Sequence, residues 1–237
     1  MTASSKPTVV LVHGAFADAS GWAGVIRELQ SAGFTVQAPP NPLRSVAGDA
    51  DTVGAAVGAV DGPVLLVGHS YGGVVITQAA AALDNVVGLV YLAAFSLDLD
   101  ESVGSVQEPF APSLLGASAR PTPYDARGAA GGPDLYIDPA TFREVFCADV
   151  PADLAAVMAA TQRPVAAVTL GEKCTSAGWK TKPASYLVSA QDQTINPDAE
   201  RFMGNRMGGT VETIQASHVA FISRPVEVAE FIMAAAR

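Results

Sequence analysis

Short apolar runs alternate with stretches of helical spacing along most of the chain. Thr8–Val12 (TVVLV) is continuous and β-branched, the pattern of a strand buried on both faces. Trp22, Val25, Ile26 and Leu29 follow at helical spacing over Trp22–Ser31, and Gly33 is placed to end that helix. Phe34–Ala38 predicts the next strand, Val46–Val60 a weakly patterned helix, and Pro63–Val67 (PVLLV) a third strand. A small-residue helix over Tyr71–Leu83 leads to a fourth strand, Val86–Leu92. Strands and helices alternating in this order predict a parallel sheet with helices on both faces.

The alternation stops after Phe95 and resumes with a strand at Ser185–Ser189. Asn196-Pro197 then supplies an N-cap and a first-turn proline for a helix. Thr210–Ile214 predicts another strand, and a last helix follows Pro225. The interruption, residues 96–183, is too long for a plain loop. Its first part, Ala111–Pro133, is rich in Ala, Pro, Gly and Ser and predicts loose order. Its second part carries helix-start signals for Asp138–Cys147 and Pro151–Gln162. The expected architecture is α/β, with a core of residues 1–95 and 184–237 built on about six mostly parallel strands. A helical cap, residues 96–183, is inserted after the fourth strand. It is expected over the carboxyl ends of the strands, the edge at which open parallel sheets hold ligands.

Composition narrows the function. The chain has 237 residues, 49% of them hydrophobic and 16% charged, which excludes disorder and fits one structural domain. A net charge of −9 gives an acidic surface that repels phosphate backbones and anionic lipid, so neither nucleic acid nor membrane is an expected partner. The longest apolar run, Val86–Phe95, is about half a membrane span, and the first residues do not read as a secretion signal. A cytoplasmic protein is expected. Cys147 and Cys174 form no CxxC or Cys/His cluster, so no metal site is expected and both thiols should be free.

The chemistry concentrates in three places. Gly68-His69-Ser70-Tyr71-Gly72 follows a predicted strand and opens a predicted helix, the context of a G-x-S-x-G nucleophile elbow. Glycine at either side lets strand and helix nearly touch, and the serine is held in a strained backbone that exposes its oxygen. A serine needs a base, and there are three histidines. His13 ends the first strand, and His69, beside the serine on so sharp a turn, points away. His218, on the loop after the last strand, can reach across the strand ends, and imidazole suits proton shuttling near neutral pH. The base needs an acid to hold its tautomer. Asp192, just past the SYLVSAQ strand, gives the chain order Ser…Asp…His of a hydrolase. Asp98 and Asp100 are alternative acids after the fourth strand, whereas Asp198 is explained as a first-turn carboxylate favoured by the helix dipole. An oxyanion hole requires two fixed N–H donors. Tyr71, directly after the serine, is one candidate; the other comes from the loop His13-Gly14-Ala15-Phe16, with Ala15 first and Phe16 second.

The elbow GHSYGG, the opening LVHGAFADASGW and the terminal ASHVAF together resemble the α/β-hydrolase superfamily over nearly the whole length. Within it they look like the subgroup of small esterases similar to plant methyl-ester esterases, with the related hydroxynitrile lyases. Such relatives start directly at the first parallel strand, as this chain does. The resemblance implies Ser70, Asp192 and His218 as a catalytic triad and the amides of Ala15 and Tyr71 as the oxyanion hole. The lyases carry a threonine where Gly14 stands and a lysine where Val219 stands. Without that lysine to stabilise departing cyanide, lyase activity is not expected.

Phe16, Leu97, Phe110, Tyr136, Phe146, Met158, Trp179 and Val219 are apolar candidates for the substrate pocket, Phe16 and Val219 because they flank catalytic positions. No Arg or Lys sits beside a catalytic motif to grip a carboxylate. The leading expectation is a cofactor-free serine hydrolase, monomer or homodimer. It would cleave a small to medium, neutral, fairly apolar carboxylic ester through an acyl-enzyme. The alternatives are a non-hydrolytic ligand-binding or sensing protein of the same fold, and cofactor-independent perhydrolase or oxygenase chemistry.

Overall fold

The computed structural model describes residues 6–124 and 132–237. Six strands form one parallel sheet: β1 (Thr8–Val12), β2 (Val36–Gln37), β3 (Val64–His69), β4 (Val86–Leu92), β8 (Ala184–Ser189) and β9 (Thr210–Ile214). Their spatial order is β2-β1-β3-β4-β8-β9. Central strands β1 and β3 are paired from Thr8↔Val64 to Val12↔Gly68, and every residue of β3 is buried. That double-sided burial is why they read as unbroken apolar runs rather than as alternation.

Helices cover both faces. On the one hand α1 (Ala23–Ser31) packs against the final helix α10 (Pro225–Ala235); on the other α2 (Val46–Gly58) packs against α3 (Tyr71–Ala80). Helix α8 (Pro197–Arg206) lies against β8 and β9 and is opened by the Asn196 side chain, which accepts the Asp198 N–H. Gly33 follows α1 with φ +79°, as its place in the sequence predicts. Strand β2 is shorter than expected: only Val36 and Gln37 pair, because it is an edge strand with one neighbour. Among the described residues no helix is long and apolar enough to cross a membrane.

The chain runs from β1 outward to β2 and then returns to place β3 on the other side of β1. The order therefore reverses between β1 and β3, the position at which open parallel sheets carry a ligand crevice.

Between β4 and β8 the structure holds more than the expected helical cap. Helices α4 (Val103–Gln107), α5 (Leu115–Ser118), α6 (Phe142–Phe146) and α7 (Ala152–Thr161) are present, but so is a second, antiparallel sheet. Its strands are β5 (Ala119–Thr122), β6 (Asp134–Ile137) and β7 (Val165–Ala166). These strands are two to four residues long, and β5 carries Arg120 and Pro121 on an exposed edge, so they show no periodicity to read. Part of the stretch expected to be loose is thus ordered as α5 and β5; residues 125–131 lie outside the described residues.

Arg44 joins the two sheets. Its guanidinium pairs with Asp134 at 2.7 Å and donates to the Pro164 carbonyl, while the Ala166 N–H donates to Leu43 at 2.9 Å. Both cysteines are buried and free, and burial pushes the Cys147 thiol up to about 11.

Backbone packs closely where β3 turns into α3. A Cβ on Gly72 would come within 2.4 Å of the Val12 carbonyl oxygen, and one on Gly68 within 2.7 Å of the Gly72 oxygen. Gly72→Ala should therefore cost about 1–3 kcal/mol by overpacking. An unchanged urea-unfolding midpoint would show that strand and helix are not so closely apposed.

Candidate active site

Ser70 is the residue between β3 and α3, and it bears the strain of the turn: φ +53°, ψ −124°. A non-glycine residue held there stores about 1–3 kcal/mol, which the surrounding close packing maintains. The loop after β1 meets it directly. A Cβ on Gly14 would fall 2.6 Å from the Ser70 Cβ, so backbone and serine are in contact across the crevice.

That loop is fixed from behind by His13 and Asn41. The Asn41 N–H donates to His13 Nε2 at 3.0 Å, which leaves the proton on Nδ1, donating to the Gly14 carbonyl at 2.9 Å. The Asn41 amide returns a bond to the His13 carbonyl. Burial lowers the His13 pKa, and the neutral ring serves as a strut. The Phe16 N–H donates to the Arg163 carbonyl at 3.0 Å, so Phe16 is not free to hold an oxyanion. The amides of Ala15 and Tyr71 have no acceptor among the described residues.

His218 and Asp192 form a fully buried pair, Nδ1 to Oδ2, at 2.5 Å. Asp192 Oδ1 accepts the amides of Thr194 (2.6 Å) and Ile195 (3.0 Å), so the carboxylate is held from two sides. His218 Nε2 is buried and has no hydrogen-bond partner among the described residues, Ser70 included. Such contacts often tighten only when substrate arrives. His69 points away from the crevice, as expected, and does something the sequence did not suggest. Its Nε2–H donates to the His218 carbonyl at 3.0 Å, and its ring packs against Trp22, Phe221 and His218. Burial, and then the neighbouring His218, hold its pKa well below the ordinary value, so the neutral ring ties the elbow to the histidine loop.

The alternative acids lie elsewhere. Asp98 is paired with Lys180 at 2.5 Å, and Asp100 is exposed. Asp198 sits in the first turn of α8, in an exposed ion pair with Arg201.

Ser70, Tyr71, Ala15 and Phe16 form one end of a cavity of about 520 Å³. Phe110 lines it too, as expected. The other walls come from residues not singled out: Phe95, Val103, Leu115, Leu135, Val165 and Leu170. Of the remaining candidates, Leu97, Phe146 and Val219 are core residues, Phe146 packing edge-on against Phe16 and beside His218. Trp179 donates its indole N–H to the Leu97 carbonyl, and Met158 lies with Phe16 and Ile222 around a small separate hollow. Tyr136 neighbours Leu135 on β6; alternation turns Leu135 to the cavity and Tyr136 away from it. Among the described residues no Lys or Arg lines the cavity, and the one charged side chain there, Glu108, is exposed. The long stretch after β4 hides which apolar residue faces inward, since its elements are too short to show a face.

Several supporting residues were also missed. Asp149 accepts hydroxyl protons from Ser217, directly before His218, and from Ser223 at 2.7 Å. Burial opposes its charge, but these donors hold its carboxyl below the usual range. Thr194 donates to the Val145 carbonyl, linking the Asp192 loop to the segment between β4 and β8. Glu200 had a readable signal: Ala199, Glu200, Met203 and Gly204 share the buried face of α8, so a carboxyl falls on an apolar stripe.

A parallel sheet with a strained serine at its strand–helix elbow and a buried His–Asp pair beyond the later strands defines the α/β-hydrolase class. The model of the "Alpha/beta hydrolase family" matches residues 9–231, and the chain belongs to that family. Among curated proteins it is similar to a "Probable hydrolase" of Phoma sp., 28% identical over 211 residues, covering 83% of this chain and 82% of that one. It is also similar to "Alpha/beta hydrolase nvfD" of Aspergillus novofumigatus, 25% identical and covering 98% and 97% of the two chains. Among solved structures, polyneuridine aldehyde esterase superposes with a TM-score of 0.84 at 19% identity, over 97% of this chain and 99% of that one. A pyrethroid hydrolase from Sphingobium faniae JZ-2 superposes with a TM-score of 0.79 at 22% identity, over 98% of each chain.

Replacing Asp149 by Ala should leave two hydroxyls beside the His218 loop without an acceptor, costing about 1–3 kcal/mol. A urea midpoint equal to that of wild type would mean that Asp149 does not anchor the loop.

Proposed function

We propose that this hydrolase is a serine carboxylic-ester hydrolase acting through an acyl-enzyme. The observation that carries the reading is the strained, cavity-facing Ser70 set among two free amides and a buried His218–Asp192 pair. His218 Nε2, the ring nitrogen left without a partner, accepts the Ser70 hydroxyl proton as Oγ attacks the ester carbonyl. The developing oxyanion takes the N–H groups of Ala15 and Tyr71. Asp192 holds the proton on Nδ1 and stabilises the imidazolium. His218 then returns its proton to the departing alkoxide, the carbonyl reforms, and the alcohol leaves an ester on Ser70. Water, losing a proton to the same nitrogen, attacks that ester; His218 passes the proton to the departing Ser70 oxygen, and the acid is released.

The cavity supports a neutral, fairly apolar substrate. Its volume of about 520 Å³ suits a small to medium ester, and among the described residues no cation lines it to hold a carboxylate. The polyneuridine aldehyde esterase and pyrethroid hydrolase neighbours are consistent with ester cleavage on this fold. No step requires a cofactor.

Initial rates on p-nitrophenyl esters of increasing acyl length test the reading. Wild type should turn over many times, and Ser70→Ala should lose about 10⁶-fold in kcat. Asp192→Asn should lose about 10⁴-fold with the fold intact. Activity should fall on acidification, because a protonated His218 cannot accept the serine proton. A single burst without turnover would instead favour a binding or sensing role. Leu135→Trp narrows the cavity and should shift the preference to shorter acyl chains; an unchanged length profile would place the acyl group elsewhere.

A further inference from the structure

Glu200 is fully buried on α8, behind Asp192. Its Oε2 accepts the Ser189 N–H at 2.9 Å, and its Oε1 meets no donor. Its carboxyl also lies within hydrogen-bonding reach of the Asp192 carboxyl. Few other charges or titratable groups face it. From β8 comes Tyr186, whose hydroxyl is committed to the carbonyl and amide of Ala94. On its own helix Arg201 is partly exposed and paired with Asp198. His218 lies beyond Asp192, bonded to it. No cation pairs with Glu200 among the described residues.

Two carboxylates in contact in a dry interior do not both stay ionised, so one proton is shared between them. Asp192 already accepts from His218, Thr194 and Ile195, three donors that favour its charged form. Glu200 accepts from one and keeps an oxygen with no donor, which a proton of its own would turn into a donor. We propose that Glu200 is a positioning residue: a neutral carboxylic acid that donates a hydrogen bond to Asp192 and so clamps the carboxylate that orients His218. Burial, and then the Asp192 charge, raise the Glu200 carboxyl well above the ordinary range, which agrees. The role in catalysis rests on the hydrolase reading; the proton on Glu200 does not.

Glu200→Gln separates these. The amide keeps both bonds, accepting from Ser189 and donating to Asp192, but has no proton to lose. A carboxyl raised on folding contributes stability that is full below its unfolded range and lost as pH rises. The urea midpoint of Glu200→Gln should therefore gain steadily on that of wild type from about pH 5 to about pH 8. Its kcat/KM should stay within about threefold of wild type, with the acid limb of the pH profile unmoved, whereas Glu200→Leu should lose about tenfold or more in kcat. Midpoints that run parallel across this range would overturn the proposal. So would an acid limb that moves down by about one unit in Glu200→Gln, since that would reveal a second negative charge beside His218. The Glu200→Gln comparison decides even where Glu200→Leu fails to fold. If wild type turns over no ester, the hydrolase reading fails alone, and the urea midpoints still decide the protonation.

Discussion

The structure depends on how closely three pieces of backbone approach one another at the end of β3. The Gly72 Cα lies against the Val12 carbonyl, Gly68 against Gly72, and Gly14 against Ser70. This apposition lets α3 start directly from the strand and forces Ser70 to φ +53°. Packing of β1 and β4 on either side of β3 maintains a backbone that an isolated turn would not hold. The strand order also reverses at this point, the place where open parallel sheets hold ligands. The strained residue therefore faces a cavity rather than core.

Around this point the molecule builds its site from buried polar groups that bond from one element to another. His13 and Asn41 brace the loop after β1, His69 ties the elbow to His218, and Asp149 holds Ser217. Each spans two elements distant in sequence. In a low-dielectric interior such bonds fix direction more than they add stability, because each buried group would be costly if left alone. The two ends of the network differ in character. The His13 and His69 rings are kept neutral by burial, whereas the other end holds a buried carboxyl pair, Asp192 and Glu200.

Much of this was legible in the sequence, for reasons that particular residues make clear. Central strands such as TVVLV and PVLLV are buried on both faces and announce themselves as apolar runs, so the parallel sheet could be read. The elbow was legible because a tight turn leaves a residue-type signature at fixed spacing. His218 could be reached by elimination among three histidines, and Asp192 by its place just past the SYLVSAQ strand. Between β4 and β8 the start signals located α6 and α7, but the second sheet was not legible: β5 and β7 hold four and two residues, and neither has a period. The pocket was largely missed for the same reason, with Leu135 and Val165 facing the cavity where Tyr136 and Trp179 were expected. Backbone contacts leave no letter code either, and the Phe16 amide could be excluded as an oxyanion donor only by finding it bonded to Arg163.

The central claim is that Ser70 is the nucleophile. Reaction with diethyl p-nitrophenyl phosphate tests it on the protein itself, since attack forms a stable Ser–O–P bond and expels p-nitrophenolate. One diethylphosphoryl group per chain, located on Ser70 by peptide mass spectrometry and matched by proportional loss of ester turnover, is the predicted result. Labelling at another residue, or full turnover by a chain labelled at Ser70, would contradict the account.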